Sequence, residues 1–187
     1  MLVPFGETLP FGNKLPGSEI ISDWCQSVFG LRPDFETSSK EGPLKLTKTL
    51  PKIGGAVCWE NVFEKPFRTQ SQRGAEAFII LSNEDWLGKD QVEMRQMVSA
   101  TKFRAAETGK SILRATNTGL TCIVHPNGEV EIGLEPVSKG FWLAELPIRN
   151  AEKPTFYVAW GYLLMPFLSI LFLIYLFFFK LFVRISA

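Results

Sequence analysis

Apolar and polar positions along this chain alternate between two periods and end in one long block that has neither. Residues 77–81, Ala77-Phe78-Ile79-Ile80-Leu81, form a continuous apolar run of strand length, the pattern of a strand buried on both faces. A similar run over 52–57 predicts a strand that stops abruptly at Cys58-Trp59-Glu60. Further strands are predicted at 111–115, 121–125, 130–134 and 140–146, with Pro126-Asn127-Gly128 as a hairpin turn. Helical patterns lie between them. Over 91–107, Met94, Met97, Val98, Thr101 and Ala105 share one face, and Gly109 is a natural stop. Another helix is expected over 62–73, ending near Gly74. Ser18 can cap a helix that runs to about residue 29, with Ile20, Ile21, Trp24 and Val28 on one face. Residues 32–45, rich in charge, Ser and Pro, read as a surface loop.

Strands alternating with helices predict an α/β layered domain over residues 1–147, followed by a linker over 148–155. The last block changes the picture. From 156 to 179 no residue is charged, long enough to span roughly 30 Å of hydrocarbon as a helix. Tyr157, Trp160 and Tyr162 lie near one end, with Lys180 and Arg184 beyond the other, as interfacial anchors would. A transmembrane helix with a short tail is therefore expected over 156–183. The first residues lack the basic region and apolar core of a secretory signal.

Charge and cysteine content narrow the chemistry. A formal charge of +1 indicates no general attraction to nucleic acid. Cys25, Cys58 and Cys122 are too widely spaced for a C-x-x-C zinc or redox site, and their odd number argues against a disulfide framework. The single histidine, His125, sits at a strand end leading into a turn and reads as a turn residue. No metal site and no cofactor are expected. Cys58 has two readings. A thiol at a strand end is held in place while the turn beyond it frees N–H groups for an oxyanion. Free cysteine is also among the most buried structural residues. Glu7, between Gly6 and Thr8, reads on its own as a solvated loop carboxylate. The polar loop 82–88 ends a buried strand, where layered folds place function.

Several stretches together resemble the bacterial apolipoprotein N-acyltransferases, whose catalytic domain belongs to the nitrilase (carbon–nitrogen hydrolase) superfamily. They are Leu2-Val3-Pro4-Phe5-Gly6-Glu7, Cys58-Trp59-Glu60 and Leu81-Ser82-Asn83-Glu84-Asp85-Trp86-Leu87-Gly88. Then follow Arg104-Ala105-Ala106-Glu107-Thr108-Gly109, Leu113-Arg114-Ala115-Thr116-Asn117-Thr118-Gly119 and the turn at Pro126-Asn127-Gly128. The resemblance implies the C-terminal portion of a nitrilase-like αββα sandwich followed by one transmembrane helix. It also implies a ping-pong reaction in which Cys58, matching the family nucleophile, takes an acyl group from a phospholipid as a thioester. The acceptor would be the N-terminal cysteine amine of an apolipoprotein. Glu7 and Glu60 match supporting carboxylates near the nucleophile. Trp86 matches an aromatic at the site mouth, and Trp59 stands where the family usually has tyrosine; both are expected to contact substrate. The implied location is the bacterial inner (cytoplasmic) membrane, with the catalytic domain on its outer, periplasmic face.

The family triad is Glu-Lys-Cys. Its lysine lies just before the Leu-Val-Pro-Phe-Gly-Glu stretch and its general-base glutamate further upstream, whereas here Met1 directly precedes Leu2. A polar residue common in the family is also replaced around Met97. The expectation is an enzyme that works with an upstream piece, a separate N-terminal half. Two other readings accompany it. One is an inactive remnant or membrane-anchored interaction subunit. The other is a nitrilase-type amidase, which shares the thiol chemistry but leaves the anchor unexplained.

Overall fold

The computed structural model describes residues 16–29, 42–45, 47, 49–88, 91–148 and 153–185. Glu7 and the whole 2–7 stretch lie outside the described residues, as do most of the 32–45 loop and the side chains of Lys180 and Arg184.

Five strands form one sheet in sequential order: β1 (Ile53–Val57), β2 (Ala77–Ser82), β3 (Ile112–Thr116), β4 (Thr121–Val124) and β5 (Val130–Leu134). The first three are parallel and the last two add antiparallel. Parallel neighbours need a crossover, and the helical patterns supply it. Helix α2 (Glu64–Gln72) connects β1 to β2, and α3 (Gln91–Thr108) connects β2 to β3. Both helices must therefore run back against the strand direction. The architecture is α/β, as the alternating periods predict. Helix α1 (Ser18–Phe29) precedes the sheet and α4 (Phe156–Ile185) follows it.

Register decides which side chains meet the helices. Gly54, Phe78, Ile112 and Val124 lie side by side, as do Ala56, Ile80, Arg114 and Cys122. All but Arg114 are small or apolar, and most join Phe67 of α2 and Val98 and Ala105 of α3 in the core. Gly54 is required for this layer. A Cβ there would lie 2.3 Å from the ring of the fully buried Phe78. Gly54→Ala should lower stability by about 1–3 kcal/mol, the range for overpacking, read from the urea midpoint.

The opposite face carries Val57, Ile79, Leu81, Leu113 and Ile123. Val57 and Leu81 are 61% and 56% exposed. A sheet with an apolar second face is one layer of a thicker stack.

The chain breaks occur where the sequence places them. Gly74 and Gly109, at φ +88° and +66°, close α2 and α3. The Gly109 N–H donates to the Ala105 carbonyl at 2.9 Å. In the hairpin, the Gly128 N–H donates to the His125 carbonyl at 2.9 Å. His125 is thus a turn residue, its Nε2 3.7 Å from a Glu131 carboxylate oxygen.

Two expectations need correction. Residues 140–146 form no strand. They keep an alternating exposure, with Phe141 and Leu143 outward, but hold no place in the ladder. The Trp142 ring occupies the space over Gly133, where a Cβ would collide at 2.0 Å. Second, the helix expected over 62–73 is divided. A 3-10 turn, Cys58–Val62, carries the thiol, and α2 starts afresh at Glu64. Helix α1 forms where expected, and its shared apolar face points outward. Ile20, Ile21, Trp24 and Val28 are exposed, while Ser18, Ser22 and Cys25 are buried.

Candidate functional site

The C-terminal ends of β1, β2 and β3 lie at one edge of the sheet, and each opens into a polar turn. Such an edge gathers side chains from loops fixed by rigid strands.

Cys58 follows β1 directly. Val57 is extended, at φ −116° and ψ 124°, and Cys58 turns to φ +50°. A left-handed conformation costs a residue with a Cβ roughly 1–2 kcal/mol, so the surroundings must hold it. The effect is a sharp strand-to-helix turn that leaves the thiol half-buried at the sheet edge. The Cys58 thiol donates to the Asn83 carbonyl across 3.8 Å. Glu60 bends back, its carboxylate accepting from the Val57 N–H at 2.9 Å. It thereby clamps the turn that carries the thiol.

Trp59 and Trp86 meet above this turn, with ring centroids 6.1 Å apart and planes tilted by 58°. That spacing is a favourable aromatic contact. Both rings are exposed and form a paired apolar surface beside the thiol. Cys58, Trp59, Glu60 and Trp86 therefore come together at one edge.

Sequence reasoning missed the polar floor below them. Arg114 of β3 is fully buried and pairs with Glu84, itself 1% exposed. The Arg114 guanidinium also donates to Thr101 Oγ1 at 3.0 Å. The Thr101 hydroxyl lies 3.0 Å from Asn61 Oδ1 and donates to it, and Asn61 Nδ2 donates to the Met97 carbonyl at 2.7 Å. Above the ion pair, the Glu84 N–H donates to Asn117 Oδ1 at 2.9 Å, and Asn117 Nδ2 donates to Asn83 Oδ1 at 2.7 Å. Gly119 makes room for the carboxylate; a Cβ there would fall 1.9 Å from Glu84 Oε2. One signal could have found this floor. Arg114 occupies an inward position in a strand whose neighbours there are Ala56, Ile80 and Cys122, and a buried arginine demands a buried carboxylate.

The other thiols are poor nucleophile candidates. Cys25 and Cys122 are buried, and burial pushes Cys122 up to about 11. The folded state thus keeps a proton that the unfolded chain gives up from about pH 9.0. Stability from this group is complete below that value and is lost as pH rises toward 11. The urea midpoint should fall more steeply over this window in the wild type than in Cys122→Ala. Among the described residues no cluster of three or more His, Cys, Asp or Glu could hold a metal.

Helix α4 is attached to the same layer. Gln72 Nε2 donates to the Val158 carbonyl at 3.0 Å, and the Arg68 guanidinium lies 4.7 Å from the centre of the Tyr162 ring. Four residues forward along α4 therefore match four residues back along α2. The helices are antiparallel, so α4 climbs toward the sheet edge that bears Cys58. Past Pro166 it extends for another ~30 Å at 1.5 Å per residue. Its Phe156–Phe179 stretch is long and apolar enough to cross a membrane, and the apolar window within it has no residue buried against the domain.

These features define the class: a mixed α/β layer with a thiol on a left-handed turn where its parallel strands end. The chain belongs to the carbon–nitrogen hydrolase family, whose profile matches residues 18–153. It is 33% identical to the apolipoprotein N-acyltransferase of Wigglesworthia glossinidia brevipalpis, over 96% of this chain and 34% of that protein. It is 32% identical to the apolipoprotein N-acyltransferase of Haemophilus ducreyi, over 90% of this chain and 31% of that protein. The chain thus spans about a third of the length of these relatives. Among solved structures, a carbon–nitrogen hydrolase of Helicobacter pylori G27 superposes with a TM-score of 0.44 at 18% identity, covering 52% of this chain and 40% of that one.

Proposed function

We propose that this chain is the thiol-bearing part of an N-acyltransferase. In the first step the Cys58 thiolate attacks the carbonyl of a phospholipid acyl ester. The C–S bond forms, the C–O bond breaks, and the lysophospholipid leaves as its alcohol once protonated. In the second step the free N-terminal amine of a diacylated apolipoprotein cysteine attacks the thioester. An amide forms, the amine gives up a proton, and the thiol is restored. Splitting one acyl transfer into two easier steps suits a thiol nucleophile.

The observation that carries this reading is the course of α4. An apolar helix that climbs past the Cys58 edge would bring a bilayer to the thiol's side of the sheet, within reach of lipid esters. The names of the relatives support the same activity. Trp59 and Trp86 then offer a surface for acyl chains entering from the membrane. Glu60 supports the nucleophile's turn, and Glu7 is proposed as a second supporting carboxylate. Lysine and general base would come from the part of the relatives' length that these residues do not span, whose layer would cover the apolar second face of the sheet. The enzyme would sit in the bacterial inner membrane with this domain on the outer face, the basic C-terminal end of α4 remaining cytoplasmic.

Native membranes containing the chain test the reaction. They are given phospholipid labelled in its acyl chain and a diacylated lipopeptide with a free or acetylated N-terminal amine. Label should enter only the free-amine peptide, as a hydroxylamine-resistant amide, and should vanish in membranes lacking the chain. Release of the label solely as fatty acid would point to hydrolysis and overturn the proposal.

A further inference from the structure

The polar floor beneath the thiol is a closed ring. Cys58 donates to the Asn83 carbonyl, and Asn83 is bonded to Glu84. Glu84 pairs with Arg114, Arg114 donates to Thr101, and Thr101 donates to Asn61. Asn61 is the fourth residue of the 3-10 turn that begins at Cys58. The path thus leaves the thiol through β2's loop and returns to it through the nucleophile's own turn. It passes through four elements: the β2 loop, β3, α3 and the 3-10 turn.

The members Glu84, Arg114, Thr101 and Asn61 are all fully or almost fully buried. Bonds in such surroundings are strong, and a missing one is costly. An isolated buried ion pair is weak evidence for stability, so its contacts are read for what they hold in place. A left-handed cysteine must be held by its neighbours, and the ring grips both the turn that strains it and the carbonyl that orients its sulfur. Thr101 is the hinge of this arrangement, since its hydroxyl accepts from Arg114 and has Asn61 Oδ1 and the Met97 carbonyl, each at 3.0 Å, as acceptors within reach of its one proton.

We infer that Thr101 and Arg114 are positioning residues, whose buried ring holds Cys58 in its left-handed conformation with the thiol against Asn83. This rests on Cys58 being the nucleophile of the proposed reaction, but the geometry can be tested without turnover.

The full chain in detergent is labelled with carbon-13 at cysteine, and the Cys58 Cα and Cβ signals are assigned by their loss in Cys58→Ala. These shifts report the backbone region directly. Thr101→Val keeps the side-chain volume and removes the hydroxyl, and should move both signals out of their left-handed positions. Thr101→Ser should restore them. Asn61→Ala cuts the ring at its next joint and should act as Thr101→Val does, which keeps the test open if the valine variant does not fold. A core variant of similar stability loss, Phe67→Leu, should leave the signals in place. Unmoved Cys58 signals in the folded ring variants, or equal movement in Phe67→Leu, would overturn the inference. Phospholipid labelling is measured alongside. Displacing the nucleophile should slow acyl loading by about tenfold or more. Moved signals with undiminished loading would contradict the positioning role. An unlabelled wild type would instead remove the acyl-transfer reading and leave the signal test standing.

Discussion

Cys58→Ala should abolish acyl loading from phospholipid without unfolding the chain. Removing a nucleophile outright costs orders of magnitude, about 10⁴–10⁶ in rate where such residues have been deleted. The substitution is also structurally mild. The thiol is half-buried, makes one weak donation to the Asn83 carbonyl, and keeps its backbone requirement when shortened to alanine. Cys58→Gly separates strain from chemistry. Glycine adopts φ +50° freely, so this variant should be equally inactive yet up to ~1 kcal/mol more stable than Cys58→Ala. Gel labelling with hydroxylamine treatment reads the first effect and urea denaturation the second. Loading that persists in both variants would move the nucleophile elsewhere.

Arg114→Met should be among the most destabilising single changes in the domain. It leaves Glu84 buried with its counter-ion removed, and breaking a buried pair from one side costs about 3–5 kcal/mol. Glu84 cannot move out toward water easily, because its carboxylate is packed against Gly119. Replacing both partners, as Glu84→Leu with Arg114→Met, should recover most of the loss, since apolar groups of similar volume often substitute well for a buried pair. The recovered protein should still fail to load acyl groups at the wild-type rate, because the ring around Cys58 stays open. Urea midpoints of the two singles and the double give the coupling energy.

The contrast between the two predictions mirrors what could be read from the sequence. The strand carrying Cys58, the buried run 77–81, the face of α3 and the glycine stops all follow from period and turn chemistry, which are local. The pairing of Trp59 with Trp86 depends on β1 and β2 being parallel neighbours, which is one step less local. The Arg114–Glu84 pair is further removed. Thirty residues separate the partners, and only the register of β2 on β3 brings them together. Residues 140–146 mislead for a related reason. Their alternation is real, but alternate exposure alone does not make a strand, and the segment packs Trp142 on Gly133 without joining the ladder. The apolar positions of α1 share a face as their spacing predicts, and that face is exposed. Helical spacing predicts a shared face, not which side of the helix the rest of the chain buries.

The most direct test of Cys58 as the acyl-bearing residue is mass spectrometry of its peptide after the membrane-embedded chain meets a phospholipid of defined acyl chain. One acyl group is expected on Cys58, its mass following the chain length supplied, released by neutral hydroxylamine. An acyl group found on Cys25, Cys122 or a non-thiol residue, with Cys58 unmodified, would contradict it.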